Sequence, residues 1–129
     1  MRKGLTTGYS ALGWLVSALV WVQVFLAGLG IFGASSFSAH ETMGGILHLC
    51  TLLVFLLAIA GPRTGRDIGM GFLLLAITTG MTFLPGTRDD TPELAALHPV
   101  LALVVLGLGA HIGTRYLGRG RGRGSVAPA

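Results

Sequence analysis

The chain has 129 residues, of which 52% are hydrophobic and 11% charged, and its formal net charge is +4. Soluble domains carry about 25% charged residues, so this composition excludes an ordinary soluble domain and makes the lipid bilayer the solvent. The length suits one compact bundle, and the basic excess flanks apolar runs, which is the pattern of topology signals and not of a nucleic-acid-binding surface.

Arg2 and Lys3 precede the first apolar run, for which a helix is expected at about residues 11–33. Ala34-Ser35-Ser36 gives this run a faint likeness to a secretory signal. Its length of about 22 residues exceeds the ~7–15 of a signal core, so it reads as a retained span. A Ser/Gly/Ala loop leads to a second helix at about 40–60, which carries His40, His48 and the single cysteine, Cys50. Cys50 has no partner for an intramolecular disulfide and reads as a small apolar residue. The turn Gly61-Pro62-Arg63-Thr64-Gly65-Arg66-Asp67 stops that helix and opens a third at about 67–84, with Asp67 as its expected cap. A longer polar loop follows. Thr91 is the expected cap of a fourth helix at about 94–117, with Pro92 suited to its first turn. That helix carries His98 and His111. Residues 118–129 hold a Gly/Arg repeat and are expected to form a disordered cytoplasmic tail beside anionic headgroups.

Each run approaches the ~20 residues that cross a ~30 Å hydrocarbon core. Backbone groups in lipid must be satisfied within the segment, and the runs lack the alternation of a barrel strand, so all four are helices. Short loops make consecutive helices antiparallel neighbours. The expected architecture is an all-α, up-down-up-down four-transmembrane-helix bundle over residues 1–117. Arg63, Arg66, Arg115, Arg119, Arg121 and Arg123 join Arg2 and Lys3 on one side. The other two loops carry Arg88 against Glu41, Asp89, Asp90 and Glu93. The positive-inside rule therefore puts both termini in the cytoplasm.

Ionisable groups within a span are costly and mark function. All four histidines fall on the second and fourth helices, which run in the same direction and lie diagonally across the bundle. His40 and His98 open the apolar parts of their helices at similar depth, where two imidazoles can fill both axial positions of a haem iron. Gly44 and Gly45 lie next to His40 on the second helix; with Gly28, Gly30 and Gly33 on the first and Gly80 on the third, they are expected to leave space for a porphyrin, or to serve helix packing alone. Arg88 is placed to meet haem propionates, or is a solvated charge beside Asp89 and Asp90. His48 and His111 stand at mismatched depths for a second haem. His48 reads as a buried hydrogen-bonding or relay group, and His111 as an interfacial histidine beside Arg115. Met43, Met70 and Met81 are scattered over the helices, which does not favour a copper site.

With histidines at the same end of helices 2 and 4 and the pattern His40-x3-Gly44, the chain resembles small b-type membrane cytochromes and one four-helix half of haem A synthase. His98-Pro99 with Trp21-x-Gln23-x3-Ala27-Gly28 is also similar to an uncharacterised family of small bacterial four-helix membrane proteins. The resemblance implies haem b, with His40 and His98 as axial ligands. The glutamate-histidine-arginine signature of haem A synthase halves is absent, since Glu41 follows His40.

The expected function is single-electron transfer through a bis-histidine haem, as a carrier or subunit and not as a catalyst on its own. A quinone or a redox partner subunit is the expected partner, within a homo- or hetero-oligomer. The alternative is a cofactor-free accessory subunit that packs into a larger membrane complex. A transporter or proton pathway through His48 is disfavoured by the small number of short helices.

Overall fold

The computed structural model describes residues 2–116 of the chain. The expected tail at 118–129 lies outside the described residues. The helices are α1 (Arg2–Ile31), α2 (Ser38–Ala60), α3 (Gly65–Met81), α4 (Pro92–Ala95) and α5 (Leu97–Thr114), with a 3₁₀ turn at Leu84–Thr87. Four stretches are long and apolar enough to cross a bilayer: Arg2–Ile31, Ser38–Ala60, Gly65–Thr87 and Pro92–Thr114. The protein is an all-α four-helix bundle.

The boundaries depart from expectation where local chemistry overrides hydropathy. The first helix starts at Arg2, not near residue 11, because Tyr9 and Ser10 are fully buried and bind the bundle. It ends at Ile31, and Gly33 follows with φ of +73°, a left-handed conformation that glycine adopts at no steric cost. The cap of α3 is Thr64, not Asp67: the Thr64 hydroxyl accepts the Asp67 backbone N–H at 3.1 Å and itself donates to the Asp67 carboxylate. The hydroxyl thereby satisfies one of the unpaired donors of the first turn. The fourth span is two helices broken at Ala96. Pro99 has no N–H to donate to the Ala95 carbonyl, and its ring crowds that oxygen. Pro92 does open α4, but Thr91 makes no side-chain cap.

α1 packs against α2 and α5, and α3 packs against the same two. The diagonal pair α2 and α5 have no backbone contact. The tightest seam is the α1–α5 crossing. A Cβ on Gly13 would lie 2.7 Å from the Gly113 nitrogen and 2.8 Å from the Gly109 carbonyl oxygen. One on Gly109 would lie 2.7 Å from Ser17 Oγ. Gly13-x3-Ser17 therefore faces Gly109-x3-Gly113, the small-residue spacing that lets membrane helices touch at backbone distance. Ser17 Oγ donates across the seam to the Leu106 carbonyl at 3.0 Å, and Ser10 Oγ to that of Ile112 at 3.1 Å. Gly13→Leu is expected to cost about 1–3 kcal/mol or more through overpacking. Gly107→Leu, on the same α5 where an added Cβ meets nothing within 4 Å, should be close to neutral. Unfolding in mixed micelles compares the two.

Candidate functional site

His40 sits in the first turn of α2 and His98 in the first turn of α5. The parallel direction of these diagonal helices puts both side chains at one end of the bundle. Their ring centroids are 6.1 Å apart with planes inclined by 57°. The imidazoles thus meet across a diagonal that the backbones do not bridge.

Each ring is pinned the same way. His40 Nδ1 lies 3.1 Å from the Gln23 carbonyl oxygen on α1, and His98 Nδ1 lies 3.1 Å from the Met81 carbonyl oxygen at the end of α3. A carbonyl only accepts, so in these bonds both Nδ1 atoms donate, and in the neutral rings both Nε2 atoms keep a lone pair. That tautomer is the one a metal-ligating histidine adopts, with its other ring nitrogen donating to a carbonyl. The Phe37 ring stands edge-on to His40 at 6.3 Å between centroids. Phe37 itself rests on Gly30, where a Cβ would come within 2.8 Å of its ring.

Two hollows share the wall made by His40, His98, Leu47 and Met81. The first, about 330 Å³, opens between α2 and α3 and carries Glu41, His48, Thr78 and Thr82. The second, about 320 Å³, opens between α1 and α5 and is apolar except for Gln23 and the shared histidines. Of the glycines expected to make room, Gly44 and Gly45 line the first hollow and Gly28 the second. Gly30 instead receives Phe37, and Gly33 serves the helix end. An added Cβ on Gly44 would meet the Gln23 side-chain nitrogen at 3.0 Å.

The other expected residues lie apart. Arg88 is exposed on the loop and pairs with Asp89 at 3.3 Å. His48 lies near the middle of α2 and lines the first hollow. His111 lies at the opposite end, where Arg66 Nη2 donates to its Nε2 at 3.4 Å, so it does not approach His48. Among the described residues no group of three or more His, Cys, Asp or Glu could hold a metal ion. The donor set is two imidazoles.

Residues 23–88 match a family of unknown function, DUF6220. The chain belongs to this family. The matched stretch runs from Gln23 through His40 and His48 to Arg88 and stops short of His98. No curated protein and no solved structure matches, so the resemblance to b-type cytochromes and to haem A synthase finds no counterpart among them.

Sequence reasoning missed a second buried polar cluster, at the end opposite to the paired imidazoles. Asp67 is fully buried. Its carboxylate pairs with Arg115 Nε at 2.5 Å, accepts from Tyr116 Oη at 2.6 Å and bonds Thr64. The buried Tyr9 hydroxyl donates to the Asp67 backbone carbonyl at 3.3 Å. Hydrogen bonding to Asp67, with its charge, pushes the Arg115 guanidinium above its ordinary pKa. Burial, then hydrogen bonding to the same carboxylate, pushes the Tyr116 phenol up. The cluster ties α1, α3 and the end of α5 together. The cap spacing Thr64-x2-Asp67 and the tyrosine next to Arg115 are its only traces in the sequence.

Proposed function

We propose that this protein binds one b-type haem between His40 and His98 and passes single electrons within the membrane. The observation that carries the proposal is the matched pair of imidazoles, each held by an Nδ1–H···O=C bond with its Nε2 left to coordinate. The ring centroids are only 6.1 Å apart, so the two imidazoles would hold one and the same group. The two hollows flank this pair on opposite edges of the bundle, where a flat macrocycle needs room on both sides. Leu47 and Met81 line both and would floor the slot. Met81 is flexible enough to adapt. The residues present fit the group.

A bis-imidazole haem supplies a low-spin iron with no open position, which favours electron transfer over oxygen binding. The protein's own contribution is orientation. The Gln23 and Met81 carbonyls fix the imidazole tautomers, and Phe37 limits rotation of His40. The apolar wall of Val20, Val24, Ile31, Ala102 and Val105 excludes water.

The test is a visible spectrum of the full chain purified after haem-replete expression. The expected result is sharp reduced-minus-oxidised bands at about one haem per chain. A colourless protein would leave the cofactor-free accessory subunit as the better account. We also propose that both termini face the cytoplasm, which the basic ends support, and that the membrane is a bacterial inner membrane, as the resemblance implies.

A further inference from the structure

The cleft between α2 and α3 changes character along its length. Its rim, at Glu41, Thr82 and Pro85, lies beside the paired imidazoles. Its deep end is formed by Gly45, His48 and Thr78 and carries no charge. His48 is eight residues beyond His40 on α2, about 12 Å further along the helix axis. It stands near the middle of a 23-residue span, at the depth where a bilayer offers no water.

His48 Nδ1 is buried and has no hydrogen-bond partner. The neighbouring polar atoms are already engaged. Thr51 Oγ1 donates to the His48 carbonyl at 2.8 Å and lies 2.9 Å from Thr78 Oγ1, which in turn bonds the Leu74 and Leu75 carbonyls at 3.0 Å each. An imidazole nitrogen left alone at this depth costs free energy unless something arrives to bond it. Beside it the surface of α2 is open, since a Cβ on Gly45 would meet nothing within 4 Å.

We infer that the deep end of this cleft binds the head ring of a lipid-soluble quinone, with the His48 imidazole that lines it as hydrogen-bond partner, its unpartnered nitrogen brought to the cleft by a turn of the ring. Three features select this class. The cleft opens between two spanning helices, so its ligand enters from lipid. The lack of charge around His48 excludes phosphate or carboxylate heads. An imidazole nitrogen donates in one tautomer and accepts in the other, which suits a head that exchanges carbonyl for hydroxyl oxygen. The glycine face next to His48 leaves a flat surface for a ring. The inference concerns binding alone, goes beyond the haem reading and does not require it.

The experiment is equilibrium dialysis of the detergent-solubilised full chain against decylubiquinone, with the haem spectrum recorded on the same samples. The expected result is saturable binding of one equivalent. His48→Leu should weaken it about tenfold, the worth of one buried hydrogen bond, and His48→Gln should recover part of the loss. Gly45→Leu should abolish binding by filling the cleft, while elution volume and helical content stay as in the parent. Absence of binding by the parent chain, equal binding by His48→Leu, or equal displacement by phosphatidylglycerol would each overturn the inference. Binding that depends on His48 in a colourless protein would sink the haem reading and leave this one standing. Haem bands without quinone binding would do the reverse.

Discussion

Replacing His40 or His98 by alanine is expected to abolish the absorption bands of the proposed haem while the four-helix bundle stays assembled. The asymmetry follows from what each ring does. As a ligand, each imidazole would be one of only two protein donors to the group, and a single remaining histidine would hold it weakly. As a structural group, each ring gives one hydrogen bond to a carbonyl, worth about 0.5–1.5 kcal/mol net. Loss of colour with unchanged helical content therefore separates a ligand from a packing residue. Imidazole added to His98→Gly should restore the bands by filling the space that the side chain vacated. A variant that keeps full haem content and unchanged bands would dismiss that histidine as a ligand.

The site is legible in the sequence to the extent that helix geometry governs it. Span count follows from apolar runs, because a backbone in lipid has no partner but itself. The common level of His40 and His98 follows from their positions at the starts of two parallel helices. What the sequence leaves open is direction around the axis. The carbonyls that hold the rings belong to Gln23 and Met81, each seventeen residues away, and a backbone acceptor has no residue-type signature. The glycines show the same limit. Gly30 and Gly44 both stand near the site, yet Gly30 receives Phe37 and Gly44 receives the Gln23 amide. The Gly109-x3-Gly113 pair, which sets the closest helix crossing, is visible as a spacing. It gains meaning only with Gly13 and Ser17 from the far end of the chain opposite it. Pro99 is a different case: hydropathy gives one helix over about 94–117, and the break at Ala96 comes from a proline that forbids the bond that would continue the helix.

Asp67→Ala is expected to be the most damaging single substitution for the bundle, at about 3–5 kcal/mol, the range for breaking a buried ion pair by removing one partner. The carboxylate has no exposure to solvent, and Arg115 keeps only 18% of its side-chain surface. Removing Asp67 leaves that guanidinium, the Tyr116 phenol and the Thr64 hydroxyl without their shared acceptor. Three helices meet at this point, so the loss loosens α1, α3 and α5 together. Asp67→Asn keeps an acceptor for Tyr116 and Thr64 but gives Arg115 no counter-charge, so it should fall between the parent and Asp67→Ala. The double variant Asp67→Leu with Arg115→Met should be more stable than Asp67→Ala alone, because no charge remains buried without a partner. Unfolding midpoints in mixed micelles rank the four proteins. A double variant no better than the single one would mean that the carboxylate acts through its hydrogen bonds to Thr64 and Tyr116 and not through its charge.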